Sequence, residues 1–336
     1  MSESRPRPRI DAHAGAYLPD EIRTLRLPSL VPVAQVVPPT AIGDPHRAAR
    51  DALAPVLAER FPAGSRVALA LGSRGLGAYR DLVAGAVDAL HAARLEAFLV
   101  PAMGSHGGGT PAGQTRVLQD YGLTELGASV AAAEDTRIVG RLGDGTPVHA
   151  SEVAMRADAI VVLNRVKSHT GFRGRVESGL SKMLVVGLGK RAGAAALHAR
   201  GYPAFGDRIA EAREILLASY PPVIGVAIVE DAAGRPARIE AVPGQAFGAR
   251  EPALLEDAKA RMARLPFEKL DVLVIERAGK DVSGLGMDPN VTGRHPSGHR
   301  EPPDPTRIVL LSLTEASEGN AIGMGHADIV TQAFAD

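Results

Sequence analysis

The sequence predicts an α/β protein with largely parallel or mixed sheets, and three observations lead to that prediction. From about residue 64, short apolar runs alternate with stretches of helical spacing. A predicted strand at 66–72, a helix at 79–93 and a strand at 97–100 together form a βαβ unit, which favours parallel strands. With 336 residues and 45% apolar composition, the chain is long enough for about two domains with a sizeable core.

The remaining elements are predicted in chain order. Thr110 and Pro111 form a favourable N-cap and first helical residue, so a second helix is expected to begin there. Turn residues predict hairpins over 136–151 and 223–242. Apolar runs and helical spacing predict further strands at 158–163, 183–186, 271–275 and 307–313, and helices at about 206–218 and 249–264.

A break at Leu265 and Pro266 predicts a domain boundary near residues 265–270. We expect a cofactor-binding and catalytic α/β domain over 1–267 and a second α/β domain over 268–336, with the active site in the cleft between them. A Gly-, Pro- and His-rich loop of about 25 residues lies between the last two predicted strands, and loops of this length are usually functional or disordered.

Composition excludes several classes of function. The 38 basic and 38 acidic side chains give zero formal net charge, which argues against a nucleic-acid-binding protein. Without Cys the chain has no disulfides, no protein thiolate metal site and no Cys nucleophile. The polar N-terminus lacks a signal segment, and no stretch approaches the roughly 18 uncharged apolar residues that span a bilayer. We therefore expect a cytoplasmic protein with a small-molecule partner, and self-association into a homo-oligomer stays open.

Lysine is scarce and clustered. Only six of the 38 basic residues are Lys, and three of these, Lys167, Lys182 and Lys190, lie within 24 residues. Arg is a fixed planar cation, whereas a Lys amine can lose its proton when buried and can bond covalently to carbonyl-type carbons. The cluster therefore indicates a role that needs an amine, with chance clustering of exposed lysines as the alternative.

Polar side chains follow three predicted strands at the ends where open parallel sheets bind ligands. Ser73 and Arg74 follow the first strand, His106 follows the second within a Gly-rich segment, and His169 follows the strand at 158–163. Arg74 could hold a phosphate or carboxylate, and glycines let a ligand approach the backbone closely. A lone His is more often structural than functional, so a structural role for each imidazole stays open.

Two further segments carry binding groups. Ser178 and Gly179 belong to a small-residue turn whose backbone N–H groups suit a phosphate, and Lys182 adds positive charge. His198 follows sixteen residues after Lys182. A separate pattern resembles a loosened dinucleotide fingerprint, although tight strand-to-helix packing would require the same glycines: Gly187, Gly189 and Gly193.

At these residues the sequence resembles the nickel-dependent lactate racemase family. The matching pieces are Gly104-Ser105-His106, the loop that begins at His169, the Ser178-Gly179-x-x-Lys182 motif and the spacing from Lys182 to His198. The resemblance covers about residues 60–265 well and the remainder loosely. It implies a nickel-pincer nucleotide, a pyridinium mononucleotide whose sulfur atoms and a ring carbon bind nickel, together with accessory enzymes that synthesise it.

The resemblance also implies roles for the cofactor-binding residues. Lys182 would form a covalent thioamide tether to the nucleotide, and His198 would be the protein ligand of the nickel, which imidazole suits. Ser178 and Gly179 would hold the nucleotide phosphate, and Ser73 would contact the cofactor.

For the reaction, the resemblance implies that His106 and His169 are acid/base residues on opposite faces of a 2-hydroxy acid. One His would remove the hydroxyl proton while hydride leaves Cα, and the hydride would return to the other face of the 2-oxo acid. Arg74 would orient the substrate oxygen. For the substrate carboxylate we expect Lys280, because it follows the predicted strand at 271–275. The alternatives for that last role are Arg294, His295 and His299.

The sequence departs from the family pattern in three places. Leu71 stands where lactate racemases have an acidic residue, the loop between His169 and Lys182 is longer, and the chain ends at Asp336, which predicts a reduced second domain. We therefore expect a racemase or epimerase of a 2-hydroxy acid other than lactate. The alternatives are a nicotinamide-dependent 2-hydroxy acid dehydrogenase and a non-catalytic nucleotide- or metabolite-binding protein.

Overall fold

The structure is a computed structural model that describes residues 24–26, 29–37, 39–57, 60–73 and 75–335. Its strands are β1 (Arg66–Leu71), β2 (Glu96–Pro101), β3 (Ser129–Val130), β4 (Thr136–Arg141), β5 (Pro147–Ser151), β6 (Ala159–Arg165), β7 (Val223–Glu230), β8 (Pro236–Pro243), β9 (Leu270–Ala278), β10 (Pro305–Leu313) and β11 (Ile329–Val330). Its α-helices are α1 (Pro45–Leu57), α2 (Tyr79–Ala92), α3 (Pro111–Asp120), α4 (Glu152–Met155), α5 (Leu180–Lys182), α6 (Lys190–His198), α7 (Phe205–Ser219), α8 (Phe247–Arg261), α9 (Pro289–Thr292) and α10 (Gln332–Ala335).

The predicted α/β fold is confirmed. A six-stranded sheet has the order β3-β2-β1-β6-β7-β8, in which β8 alone runs antiparallel to its neighbour. Five of the six residues of β1 are buried, as expected of a parallel strand covered on both faces. Alternate β1 side chains enter two cores, because successive residues of a strand point to opposite faces: Val67 packs with α1 and α2, and Ala68 packs with α7 and α8.

Most predicted elements are confirmed at nearly their predicted bounds. The first βαβ unit has parallel strands β1 and β2, and both predicted hairpins form as the antiparallel pairs β4-β5 and β7-β8. Thr110 is the N-cap of α3, where its side-chain oxygen accepts a hydrogen bond from the N–H of Gly113 at 3.2 Å.

The strand predicted at 183–186 is wrong, because the chain there is helical. After α5, Met183–Gly187 forms a π-helical turn. Periodicity cannot separate a buried strand from a buried helix in so short an apolar run, and the turn is almost wholly buried against the sheet. Gly187 allows this packing, since a Cβ at that position would lie 2.6 Å from the carbonyl oxygen of Ala102.

The three parallel strands β9, β10 and β11 form a separate sheet in the order β11-β10-β9. It has a small core of its own, built on Ala278, Met287, Ile308 and Leu310. The contacts divide the chain into Met1–Pro38 and Pro39–Asp336, and every element named above belongs to the second unit. The division into 1–267 and 268–336 stays a prediction. Within the described residues, no helix is both long and apolar enough to cross a membrane.

Candidate active site

Three neighbouring strands of the central sheet bring the predicted strand-end residues together. β2, β1 and β6 lie side by side, so the segments that follow them meet at one edge of the sheet. Ser73, His106 and His169, one from each segment, line a single cavity of about 410 Å³. Gly284 and Ile322, which follow β9 and β10, line the same cavity.

Seven of the nine predicted site residues line this cavity: Ser73, His106, His169, Ser178, Gly179, Lys182 and His198. Arg74 lies outside the described residues. Lys280 is exposed and is not among the residues that line the cavity, and its backbone N–H donates to the Ser317 hydroxyl at 3.1 Å. Its assignment to the substrate carboxylate stays a prediction.

His106 is held by the Gly-rich loop that follows β2. Its Nδ1 atom forms a short hydrogen bond with the Ser73 hydroxyl, which comes from the end of β1. The buried Gln114 amide donates to the carbonyl oxygens of Gly104 at 3.1 Å and His106 at 3.2 Å, so α3 fixes the loop. Gly104 adopts a φ of +58°, a conformation that glycine takes without strain.

His169 is fixed through its backbone and its ring. Its N–H donates to the buried Glu177 carboxylate at 2.7 Å, and its carbonyl oxygen accepts from Arg173 Nη1 at 2.7 Å. The Gly171 N–H lies 2.9 Å from His169 Nδ1. A backbone N–H can only donate, so Nδ1 is the acceptor and the proton of the neutral imidazole is on Nε2.

His198, the last residue of α6, has the opposite tautomer. Its Nδ1 lies 2.7 Å from the carbonyl oxygen of Ala194, which can only accept, so Nδ1 carries the proton and Nε2 keeps its lone pair. Metal-binding His residues commonly donate their second ring N–H to a backbone carbonyl in this way. In the part of the chain that the structure describes, no group of three or more His, Cys, Asp or Glu residues is placed to hold a metal ion.

A buried carboxylate accepts hydrogen bonds from the start of α5. Glu251 is buried and accepts from the Ser181 N–H at 3.1 and 3.2 Å and from the Ser181 hydroxyl. Burial raises the pKa of Glu251, and its hydrogen bonds to Ser181 oppose that shift. The Ser178 N–H donates to the carbonyl oxygen of Lys167 at 3.2 Å. Two backbone N–H groups of the turn predicted to bind phosphate, those of Ser178 and Ser181, therefore already donate hydrogen bonds to protein oxygens. Lys182 still lines the cavity.

The three clustered lysines have different positions. Lys167 and Lys182 line the cavity, whereas the Lys190 side chain is buried away from it. Lys190 Nζ donates to the carbonyl oxygen of Pro101 at 2.5 Å and so ties the start of α6 to the end of β2. Burial lowers the pKa of Lys190 to about 8.

The cavity lining is electropositive. Among the described residues that line it, Arg165, Lys167 and Lys182 are cationic and none is acidic. Arg165 also forms an ion pair with Glu230 at 2.6 Å. A site lined by one sign of charge favours ligands of the opposite sign, here anions.

Arg173 connects the His169 loop to the long loop between β9 and β10, and sequence reasoning missed it. Besides the His169 carbonyl oxygen, its guanidinium contacts Asn290 Oδ1 at 2.6 Å, His295 Nε2 at 2.9 Å and Glu301 Oε1 at 3.2 Å. Burial lowers the pKa of His295, and the positive charge of Arg173 lowers it further. The only hint of this connection in the sequence was the unusual length of the loop between β9 and β10.

The three alternatives for binding the substrate carboxylate lie away from the cavity lining. His295 belongs to the Arg173 contacts, and His299 is an exposed neighbour of Glu301 at 3.2 Å. Arg294 pairs with Asp328 at 2.5 Å. These contacts give each of the three side chains a structural role in the loop between β9 and β10.

Comparison with known proteins identifies the fold. No family model and no curated protein matches the sequence. A solved structure of a protein from Thermotoga maritima matches 80% of this chain and 71% of its own, with a TM-score of 0.58 and 13% identity. The lactate racemase apoprotein from Thermoanaerobacterium thermosaccharolyticum matches 83% of this chain and 71% of its own, with a TM-score of 0.51 and 13% identity. The chain therefore has a lactate racemase-like α/β fold.

Proposed function

We propose that this chain belongs to the nickel-dependent lactate racemase family and racemises or epimerises a 2-hydroxy acid. The observation that carries the proposal is the convergence of four predicted residues on one cavity: His106, His169, Lys182 and His198. His106 precedes the other three by at least 63 residues in the sequence, so their meeting is a property of the fold. Similarity to the lactate racemase apoprotein in fold supports the same assignment.

The residues of the cavity fit a nickel-pincer nucleotide. Lys182 supplies the amine that would carry the tether, and the lone pair of His198 Nε2 suits a nickel ion. The electropositive lining suits an anionic nucleotide. When bound, such a group would supply a hydride acceptor.

The two remaining imidazoles would handle the substrate hydroxyl. In the tautomer described, His169 presents an N–H that can donate to the substrate oxygen and polarise it. His106, oriented by Ser73, would then move the hydroxyl proton. For the opposite enantiomer the two residues exchange roles, which requires the hydrogen bond from Gly171 to His169 to break.

The substrate carboxylate would meet Lys167. This amine lines the cavity, and its backbone is paired with Ser178 through two hydrogen bonds of 2.9 and 3.2 Å. Lys280, which the sequence favoured, is exposed and lies away from the lining residues. Lys167 therefore takes precedence over Lys280 as the carboxylate-binding residue of the proposal.

The test is the intact mass of the protein after expression with the cofactor-synthesis enzymes. The wild type should carry an adduct, Lys182→Ala should lack it, and the exposed control Lys280→Ala should keep it. An unmodified wild-type mass together with full activity in Lys182→Ala would contradict the proposal.

The dehydrogenase alternative loses its structural basis. A dinucleotide fingerprint needs a strand before its glycines, and a π-helical turn precedes Gly189 here. A Cβ at Gly189 would lie 2.3 Å from the carbonyl oxygen of Val185, so this glycine serves close helix packing. A change in nicotinamide absorbance when a hydroxy acid is added to the protein would instead support the dehydrogenase.

A further inference from the structure

Strand β9 has an open edge with exposed apolar side chains. It pairs with β10 on one side, and on its other side no strand from the described residues pairs with it. Val272 and Val274 are 52% and 57% exposed. An open edge of this kind is a template for pairing with another chain, and proteins usually shield it.

The apolar face continues from β9 across β10, where Val309 is half-buried, to β11. The register places Val274 opposite Val309 and Val309 opposite Ile329, and Ile329 is 53% exposed. The alternate residues Leu273 and Ile275 pack against the small core on the other face. Parallel sheets are normally covered on both faces, so this face lacks the cover that the fold class predicts.

The charges of β9 are self-complementary about Val274. Asp271 lies three positions before Val274 and Arg277 lies three positions after it. If two copies of β9 run antiparallel with Val274 on a two-fold axis, Asp271 of each copy faces Arg277 of the other. Opposite charges directly across a strand pair are stabilising. Glu268 and Lys280, six positions from Val274, repeat the same arrangement beyond the ends of the strand.

Neighbouring registers do not have this complementarity. With the two-fold axis on Leu273, Lys269 would face Arg277, and with the axis on Val272, Glu268 would face Glu276. Like charges directly opposite are destabilising. With the axis on Ile275, Asp271 would face Gly279 and Arg277 would face Leu273, so both pairs within the strand would be lost. The charge pattern therefore favours the register centred on Val274. An isologous contact that pairs the same residues from both copies closes as a dimer.

We propose that β9 pairs antiparallel with β9 of a second copy of this chain, about a two-fold axis at Val274, to form a continuous six-stranded sheet. Main-chain hydrogen bonds would supply the contact and the two Asp271–Arg277 pairs would set the register. The proposal is independent of the reaction proposed above, because it uses no residue of the cavity.

The absence of Cys from the sequence allows a direct test by single-site oxidation of the full-length protein. Residues opposite one another in an antiparallel pair have Cα atoms about 4.5–5.5 Å apart, which a disulfide can bridge. Val274→Cys should therefore form a covalent dimer on mild oxidation. The matched control is Val309→Cys on β10, one strand further from the axis, which should stay monomeric on a non-reducing gel.

A charge exchange tests the register without cysteine. Asp271→Arg and Arg277→Asp should each weaken dimerisation about tenfold in sedimentation equilibrium, since each replaces two attractive pairs with two repulsive ones. The double variant Asp271→Arg/Arg277→Asp should restore the wild-type constant. A monomeric wild type at high concentration, equal cross-linking of the two Cys variants, a ladder of open oligomers or failure of the double variant to recover would overturn the proposal.

Discussion

Two imidazoles of the cavity differ in the ring nitrogen that carries the proton. Gly171 donates to Nδ1 of His169, so that residue presents an N–H at Nε2. His198 donates from Nδ1 to Ala194, so it presents a lone pair at Nε2. The backbone around each residue sets this difference, which suits His169 to the proposed proton-donating role and His198 to the proposed metal-binding role.

The His198 tautomer predicts a separable effect on metal content. His198→Ala should keep the Lys182 adduct but lose most of its nickel, because the amine tether is covalent and the imidazole is the only protein ligand proposed. Intact mass and elemental analysis on the same sample check this expectation. Equal nickel in His198→Ala and the wild type would contradict the assigned role.

The buried Lys190 amine predicts a pH-dependent stability. Its pKa is about 8 in the folded protein against an ordinary value of 10.5, so between these values the unfolded chain binds more protons. The free energy of unfolding should therefore rise with pH across this range, by up to about 3 kcal/mol from this group. Lys190→Met should lack that rise.

Chemical denaturation at pH 7 to 10.5 measures the effect. Exposed Lys280→Met is the matched control, and its profile should parallel that of the wild type. Superimposable profiles for Lys190→Met and the wild type would show that the amine does not titrate as its burial requires.

The site residues at strand ends were predictable from the sequence. The residues that hold them in place through hydrogen bonds were not. Ser73, His106 and His169 follow apolar runs directly, and the position of a strand end is a local property of the chain. Gln114, Arg173 and Glu251 act on partners that come from other elements. Nothing in the local pattern distinguishes them from ordinary polar residues.

At the level of elements, the segment between β6 and α7 carries most of the site. The predicted strand at 183–186 is instead helical, which changes how Lys182 and His198 are presented. Lys182 ends α5 and His198 ends α6, with the π-helical turn between them. Such turns occur frequently at functional sites, and an apolar run alone did not reveal this one.

The contacts of Arg173 predict that two loops act together. Arg173→Lys keeps the charge, but one amine cannot serve the acceptors on His169, Asn290 and Glu301. We expect kcat to fall about 10- to 100-fold through displacement of His169. The free energy of unfolding should fall by about 1–3 kcal/mol.

Rate and stability measurements should be paired with the intact mass, which ought to show an unchanged cofactor adduct in Arg173→Lys. Arg175→Lys is the matched control, because Arg175 lies two residues away and is exposed. A wild-type kcat in Arg173→Lys would show that the link between the loops does not position His169.

At the scale of the whole molecule, strand order determines the site. Because β2, β1 and β6 are neighbours, residues from three separated segments of the sequence meet at one edge of the sheet. The alternation of strands and helices predicted the sheet, and the handedness of βαβ units restricts the possible orders. Placement of the β9 and β10 loops over the cavity depends on contacts such as those of Arg173, which composition and periodicity do not encode.

The most direct test of the central claim is the fate of the Cα hydrogen. The loaded protein should convert single enantiomers of a 2-hydroxy acid, deuterated at Cα, into both enantiomers, as read by chiral chromatography and mass spectrometry. Reversible hydride transfer predicts that the deuterium stays on Cα during inversion in ordinary water. Inversion with loss of the label to solvent, or no inversion of any acid in a broad panel by the loaded protein, would contradict the account.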